Sequence, residues 1–198
     1  MTAPTNILIV GVGGQGIVLA GDVIGLAARL AGLEAKASEV HGMSQRGGSV
    51  VSEVRFGEQV FSPLIPPPGA DFLLAFELLE GLRGMAQLRP GGLAIVNRRR
   101  IVPSSVTYGS AVYPEDAEAR ILRQCPGAVI VDAQDMADKL GNPRAVNMIL
   151  IGVLAGHCPL PRDCWEEAIR QAVKPRFIDV NLAAFSLGTE LTTAGTRS

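Results

Sequence analysis

The most constraining feature of the sequence is a glycine-rich turn near its start. The apolar run Asn6 to Val10 leads into Gly11-Val12-Gly13-Gly14-Gln15-Gly16, which fits the pattern G-x-G-x-x-G. Apolar residues then recur at steps of three and four as far as Ala31, and Gly32 is placed to end a helix. A buried strand, a tight glycine turn and an amphipathic helix in this order predict the opening unit of an α/β domain.

The glycine-rich turn has three candidate roles. Its glycines allow close helix–strand packing, and N–H groups at a helix start attract a phosphate or carboxylate. The same spacing occurs in NAD(P) sites, and Glu34 and Glu39 lie near the distance of the acid that binds the ribose. The segment that follows argues against NAD(P), because it does not continue the βαβ alternation. The motif alone leaves all three roles open.

That segment predicts an antiparallel hairpin. Residues Ser49 to Phe56 alternate between apolar and polar positions, Gly57-Glu58 suits a type II′ turn, and Gln59 to Ile65 reads as a second strand. The stretch Pro66 to Gly69 then ends the extended structure. We therefore expect a hairpin excursion at about 49–65 and a mixed sheet.

Regular α/β order returns after residue 70. We predict strands at Phe72 to Phe76, Leu93 to Val96 and Val129 to Val131, and a helix with Leu78, Leu82, Met85 and Leu88 on one face. The C-terminal third predicts helices at Pro143 to Gly156, Arg162 to Val173 and Phe177 to Leu187. The expected fold is one Rossmann-like layered α/β domain over residues 1–190, with a mixed sheet, flanking helices and a flexible tail at 191–198.

Composition narrows the class of protein. Hydrophobic residues make up 47% of the chain, enough for a core, and the net charge of −1 lacks the basic surplus of nucleic-acid binders. The sequence lacks a signal-peptide pattern and a run long enough to cross a bilayer, which predicts a cytoplasmic protein without membrane contact. Three cysteines without a CxxC pair, and two histidines without metal-type spacing, predict idle thiols and no metal site.

The segment Ser38 to Ser49 contains several side chains that can bind a ligand. It places His41, Gln45 and Arg46 among glycines, so that an amide, a guanidinium fork and bare N–H groups are available to a ligand. A loop whose polar groups satisfy one another is the alternative interpretation.

Two motifs together resemble a known family. GVGGQGIVLAGD followed by SEVHGMSQRGGSVVSEVRFG is similar to the gamma domain of 2-oxoacid:ferredoxin oxidoreductases, most closely the indolepyruvate type. The resemblance continues through SPLIPP, DFLLAFELLEGLR and the Asn147-Met148 segment to AIRQAVKPRFIDVNLAAFSLG. It covers nearly the whole chain in family order, and the run His-Gly-Met-Ser-Gln-Arg-Gly-Gly is its most specific part.

The resemblance implies a division of labour. Such complexes convert a 2-oxoacid and coenzyme A into an acyl-CoA and carbon dioxide while they reduce ferredoxin. Thiamine diphosphate and iron–sulfur clusters would belong to a large partner subunit, ferredoxin would be an indirect partner, and this chain would supply no catalytic residue. A homodimer is one expected form of the isolated chain.

The expected contribution of this chain is on the coenzyme A side of the active centre and in subunit packing. Coenzyme A carries a pyrophosphate and a 3′-phosphate, which N–H groups and guanidinium forks bind. The candidate binding residues are Gly13, Gly14, Gln15, Gly16, His41, Ser44, Gln45, Arg46, Gly47 and Gly48.

Other interpretations stay open. Arg98 to Arg100 follow a predicted strand end, where they would form either a second phosphate contact or a solvated basic loop. Glu77 would either contact a ligand or partner or serve as a helix N-terminal acid. Two other classes of function are a stand-alone NAD(P)-binding oxidoreductase and a non-enzymatic assembly module. Aryl pyruvate as substrate rests on subfamily likeness, so branched-chain oxoacids, pyruvate and 2-oxoglutarate also remain.

Overall fold

The computed structural model describes residues 3–41, 48–107, 109 and 112–194. The strands of this part of the chain are β1 (Thr5–Val12), β2 (Glu34–His41), β3 (Ser49–Gly57), β4 (Ala70–Ala75), β5 (Leu88–Asn97) and β6 (Val129–Val131). The helices are α1 (Ile17–Leu30), α2 (Leu78–Gly84), α3 (Ser104–Thr107), α4 (Ala117–Gln124), α5 (Ala133–Lys139), α6 (Val146–Ala155), α7 (Arg162–Ala172) and α8 (Ile178–Ala194). Short 3-10 turns cover Met85–Gln87 and Pro175–Phe177.

The six strands form one mixed sheet in the order β2-β3-β1-β4-β5-β6. Strands β1, β4, β5 and β6 run parallel, whereas β3 is antiparallel to both of its neighbours, β1 and β2. The predicted α/β class, mixed sheet and flanking helices are confirmed. The helical assignments over the C-terminal third are also confirmed, although α8 extends through Ala194, past the predicted end at Leu187.

The prediction of a hairpin at 49–65 is wrong about the strand that pairs with β3. Strand β3 forms as expected, but residues 59–65 form no strand, and the edge of β3 is taken by β2, with Glu34 opposite Gly57 and His41 opposite Val50. Arg55 explains the loop, because its guanidinium donates to the carbonyls of Ser62 and Leu64, both at 2.9 Å. The segment is folded back onto β3 by this side chain and is not paired through its backbone.

The core lies on both faces of the sheet. On one face α1 and α6 pack against the strands, and α5, α7 and α8 pack against these two helices. Trp165, Phe185 and Met148 are fully buried in this layer. On the other face α2 and α4 cover Leu73 and Val96. Because both faces are covered, the central strand β1 is buried from Ile7 to Val12. None of the described helices has the length and apolar character that a bilayer span requires.

Helix α1 is bounded by two glycines in left-handed conformations. Gly16 precedes it with φ 81°, and Gly32 follows it with φ 80°. The Gly32 N–H donates to the Arg29 carbonyl and the Leu33 N–H to the Ala28 carbonyl, each at 3.0 Å. Gly32 therefore closes the helix as the sequence predicted, since a left-handed residue at this place strongly favours glycine.

Candidate functional site

The carboxyl ends of the parallel strands meet along one edge of the sheet. The glycine-rich turn follows β1, Glu77 lies just after β4, Arg98 to Arg100 follow β5, and Asp132 follows β6. Ligands of open α/β sheets bind at this edge, where the strand order changes direction. Such a change occurs between β1 and β4, because α1 leads from β1 to β2 on one side of the sheet and α2 leads from β4 to β5 on the other.

The side chain of Gln15 fixes the shape of the glycine-rich turn. Its Oε1 accepts a hydrogen bond from the Val12 N–H at 2.7 Å, and its Nε2 donates to the Phe76 carbonyl at 3.0 Å. A Cβ on Gly11 would lie 2.7 Å from this Oε1 and 2.8 Å from the Phe76 Cβ. The Gln15 amide, one of the predicted binding groups, is therefore used inside the protein to join β1 to β4.

Asn97 extends this connection across the sheet edge. It is 1% exposed, its Nδ2 donates to the same Phe76 carbonyl at 3.2 Å, and its Oδ1 accepts from the Ala133 N–H at 3.2 Å. Side-chain amides thus link the ends of β1, β4, β5 and β6 in one row. Buried polar groups satisfied in this way form a rigid floor beneath the turn.

The structure brings the two sequence motifs together. The Gly13 N–H donates to the Gly48 carbonyl at 3.0 Å, so the glycine-rich turn touches the residue that leads into β3. His41 ends β2 in the same cross-strand row as Val50 and Gly11. The predicted site residues Ser44, Gln45, Arg46 and Gly47 lie outside the described residues.

Gly14 opens the turn toward solvent, and Gly16 leaves the start of α1 without a side-chain cap. Gly14 has φ 94°, and a Cβ placed on it would meet nothing within 4 Å. Gly16 is the N-cap of α1 and offers no side chain to bind the first-turn N–H groups. These N–H groups have no partner within the helix, so they remain available to an anion.

A cleft of about 370 Å³ lies beside this turn. Besides the turn and Asn97, it is lined by Arg99, Arg144 and Asn147, and none of its lining residues is acidic. Arg144 and Asn147 are not among the site residues predicted from the sequence. Asn147 could have been identified from the sequence, because it is a polar residue within the apolar helix VNMILIGVLA. A buried amide usually has a hydrogen-bonding role.

The three consecutive arginines have separate roles. Arg98 forms a bidentate pair with Glu118 at 3.0 Å and also reaches Asp132 at 2.8 Å. Arg100 pairs with Glu115 and lies 4.1 Å above the ring of Tyr113, and its hydrogen bonds lower the pKa of Glu115. The outer two arginines thus anchor the segment after β5. Arg99, between them, is exposed and lines the cleft.

Glu77 is a buried helix cap. It is 1% exposed, and its Oε2 accepts from the Glu80 N–H at 3.0 Å. Its Oε1 accepts from the Ile101 N–H at 3.0 Å and from the Tyr113 hydroxyl at 2.6 Å. Burial, together with this hydrogen bond, raises the pKa of Tyr113. Of the two interpretations of Glu77, the structure supports the helix N-terminal acid.

The cysteines do not form a ligand set. Cys125 and Cys158 are buried, Cys164 is partly exposed, and all three are free. Burial raises the pKa of the Cys158 thiol to about 12, which disfavours the thiolate that a metal needs. Within residues 3–41, 48–107, 109 and 112–194, no three His, Cys, Asp or Glu side chains are grouped to hold a metal ion. An iron–sulfur cluster, which proteins usually hold with four thiolates, does not fit these residues.

The topology also departs from an NAD(P) site. The strand that follows α1 is β2, and β3 separates it from β1. The distance from β1 to β2 is therefore two strand spacings, about 9–10 Å, whereas these two strands are adjacent in a dinucleotide-binding fold. Glu34 accepts a hydrogen bond from the Val60 N–H at 2.9 Å, and Glu39 lies on the edge strand. Neither glutamate is placed to bind a ribose at the glycine-rich turn.

Several relatives are similar over nearly their whole length. The chain is 44% identical to indolepyruvate oxidoreductase subunit IorB of Thermococcus kodakarensis, covering 93% of this chain and 94% of that protein. It is 43% identical to the Archaeoglobus fulgidus IorB, covering 92% of each. The 2-oxoglutarate synthase subunit KorC of Methanothermobacter thermautotrophicus is 32% identical, over 97% of each chain.

Solved structures share the fold. A keto/oxoacid ferredoxin oxidoreductase gamma subunit from Geobacter sulfurreducens superposes with a TM-score of 0.72 at 23% identity, over 96% of this chain and 99% of that one. The 2-oxoglutarate:ferredoxin oxidoreductase of Magnetococcus marinus gives a TM-score of 0.75 at 20% identity, over 98% of this chain and 32% of that one. The family model for pyruvate ferredoxin/flavodoxin oxidoreductase matches residues 6–191. This chain therefore belongs to the pyruvate ferredoxin/flavodoxin oxidoreductase family, as the resemblance of its two motifs indicated.

Proposed function

We propose that the chain is a non-autonomous subunit of a 2-oxoacid:ferredoxin oxidoreductase of the indolepyruvate type. The observation that carries the proposal is the 42–44% identity to three archaeal IorB subunits over more than 90% of this chain. Identity falls to 30–32% for the 2-oxoglutarate and ketoisovalerate relatives. The chemistry at the 2-oxoacid belongs, in this proposal, to a large partner subunit with thiamine diphosphate and iron–sulfur clusters.

The proposed role of this chain is to complete the coenzyme A side of the active centre and to pack against the large subunit. The hydrogen bond from Gly13 to Gly48 supports this role, because it joins two motifs that the sequence separates by more than 30 residues. The open Gly14 and the uncapped start of α1 add N–H groups suited to phosphates. Gly13 to Gly16 and Gln45 to Gly48 are the segments assigned to coenzyme A.

The first test is purification of the chain from its native cells under anaerobic conditions. We expect a large partner with iron–sulfur absorption to accompany it, and the complex to oxidise indolepyruvate with coenzyme A and ferredoxin. The chain produced alone should show no turnover, whereas mixing it with the partner should restore activity. A colourless chain recovered alone, with measurable NADH binding, would support the stand-alone oxidoreductase instead.

The coenzyme A role has a separate test. Replacing Arg46 by alanine in the complex should raise the KM for coenzyme A by about tenfold, because one charge-assisted hydrogen bond is lost. The KM for the 2-oxoacid should stay constant. Arg29→Gln is the control, since Arg29 lies in the last turn of α1, far from the glycine-rich turn. An unchanged KM for coenzyme A in Arg46→Ala would contradict the role of this loop and leave the subunit assignment intact.

A further inference from the structure

A buried carboxylate lies beside the start of β3, at the end of the Ser38 to Ser49 segment. Glu80, in the first turn of α2, is 5% exposed, although glutamate is rarely buried unless it is paired. Its Oε2 accepts a hydrogen bond from the Ser49 hydroxyl at 2.6 Å, and its Oε1 accepts one from the Arg83 guanidinium at 2.6 Å. Both carboxylate oxygens therefore have a donor, and the Ser49 bond joins residues 31 positions apart in the chain.

Ser49 stands next to the contact between the two sequence motifs. It is the first residue of β3 and pairs with Val12, where the β1–β3 ladder ends. The preceding residue, Gly48, accepts the hydrogen bond from the Gly13 N–H at 3.0 Å. Beyond the end of the ladder, the position of Gly48 therefore depends on its bond to Gly13 and on the anchoring of Ser49. Glu80 supplies that anchor from a different element of the fold.

The start of α2 is itself fixed in place. The Glu80 N–H donates to the Glu77 carboxylate at 3.0 Å. Glu77 also accepts from the Ile101 N–H and the Tyr113 hydroxyl, both in the segment after β5. In the sheet order, β3 lies on one side of β1 and β4, and β5 lies on the other. Glu77 and Glu80 thus reach to opposite sides, and together they connect the start of β3 to the segment after β5.

Stability alone does not explain the buried carboxylate. The Arg83 side chain is 56% exposed, so its ion pair with Glu80 is screened by water and contributes little. A buried charge must be desolvated, and apolar side chains in its place often stabilise a protein equally well. An apolar side chain, however, cannot hold the Ser49 hydroxyl at one position. Since a protein donor already occupies each oxygen of Glu80, the arrangement favours a positioning role over contact with a substrate.

We propose that Glu80 is a positioning residue that holds Gly48 against the glycine-rich turn. It binds no ligand itself and acts through Ser49 on the relative position of the two motifs. If the proposed function holds, the consequence is a tighter site for coenzyme A without an effect on the chemistry at the 2-oxoacid, and this consequence alone rests on that function. The position of Gly48 is a property of the chain by itself.

Amide exchange of the full chain, followed by NMR, tests the position of Gly48. The Gly13 N–H should exchange about 5- to 10-fold faster in Glu80→Ala and in Ser49→Ala, because either change releases the anchor. The double variant should exchange no faster than either single variant, since all three lose the same bond. Glu80→Gln should restore most of the protection, because its amide keeps an oxygen that accepts from Ser49.

Two control variants separate the anchor from its surroundings. Arg83→Gln removes the exposed ion-pair partner and keeps the bond between Ser49 and Glu80. Ile169→Val lowers stability without touching the anchor, since Ile169 is fully buried in α7, on the other face of the sheet from α2. Both controls should leave the Gly13 exchange rate unchanged. Melting temperatures of all variants show how much stability each has lost.

The active complex tests the consequence for coenzyme A. Glu80→Ala and Ser49→Ala should raise the KM for coenzyme A by about 5- to 10-fold and leave kcat and the KM for the 2-oxoacid nearly constant. Glu80→Gln should stay close to the unmodified complex, as should Arg83→Gln and Ile169→Val. A loss that followed the melting temperature, and not the Ser49 bond, would show a merely structural role.

Ser49→Ala decides the matter even if Glu80→Ala does not fold. A Gly13 exchange rate that is unchanged in Ser49→Ala, or raised equally in Ile169→Val, would overturn the positioning role. Faster exchange with an unchanged KM for coenzyme A would support the anchor and overturn its consequence for the ligand. Failure of the complex to oxidise any 2-oxoacid would overturn the proposed function, and the exchange rates would still decide the position of Gly48.

Discussion

Replacing Gly188 by alanine is expected to destabilise the folded protein strongly. A Cβ on Gly188 would lie 2.0 Å from the Ile149 carbonyl oxygen and 2.9 Å from the Gly152 Cα. These are backbone atoms, which cannot rotate away, so α6 and α8 would have to separate. Trp165 and Phe185 lie in the same core cluster and would lose their packing. The expected loss is about 3–5 kcal/mol of unfolding free energy, a large share of the stability of a domain of this size.

Urea denaturation of the purified variants measures this loss. Alanine is a better helix former than glycine by about 1 kcal/mol, so local propensity alone predicts the opposite sign. Gly25→Ala is the matched control, since Gly25 also lies within a helix and its Cβ would meet only the flexible end of Arg29, at 3.4 Å. The control should be neutral or slightly stabilising. A Gly188→Ala protein as stable as this control would show that the two helices are not in backbone contact.

Replacing Glu77 by alanine is expected to cause the second large loss. The change leaves the Glu80 N–H, the Ile101 N–H and the Tyr113 hydroxyl without their acceptor in a buried place. Each unsatisfied buried donor costs about 1–3 kcal/mol, so a total near 3–5 kcal/mol is expected. Glu77→Gln should cost less, because one acceptor oxygen remains. The segment after β5, held here by Ile101 and Tyr113, should also become more sensitive to proteolysis.

Thermal and urea unfolding of Glu77→Ala, Glu77→Gln and Tyr113→Phe gives the comparison. Tyr113→Phe removes one donor together with its need for an acceptor, so its loss should be the smallest of the three. Glu58→Ala serves as the control, because Glu58 is an exposed loop acid. If Glu77→Ala were no more harmful than Glu58→Ala, the assignment of Glu77 as a structural cap would be wrong, and a ligand or partner contact would regain support.

The glycine-rich unit was predictable because its signals are local. The apolar run of β1, the glycines of the turn and the periodicity of α1 are all contained in about 30 consecutive residues. Gly32 was identified for the same reason, since the need for a left-handed residue at a helix end is a property of the backbone there. For Glu77 the sequence left two interpretations open, and the hydrogen bonds from Glu80, Ile101 and Tyr113 decided for the helix N-terminal acid.

Strand β2 was missed because its own sequence carries almost no strand signal. Glu-Ala-Lys-Ala-Ser-Glu-Val-His has little β-branched or aromatic content, and the strand exists because β3 offers it a free edge. The opposite error occurred at residues 59–65, where suitable residues form a loop because Arg55 holds their carbonyl groups. In both cases a partner distant in sequence outweighed local propensity.

The sequence by itself determined the α/β class, the glycine-rich turn at a helix start and the family to which the chain belongs, because these depend on periodicity and on motifs read along the chain. Only the tertiary structure decided which of three consecutive arginines lines the cleft, since the answer depends on Glu115, Glu118 and Asp132, which occupy the outer two. It likewise placed Arg144 and Asn147 beside Gly16, more than 120 residues earlier in the chain. Charge compensation and the approach of distant segments are properties of packing in three dimensions, and no local pattern records them.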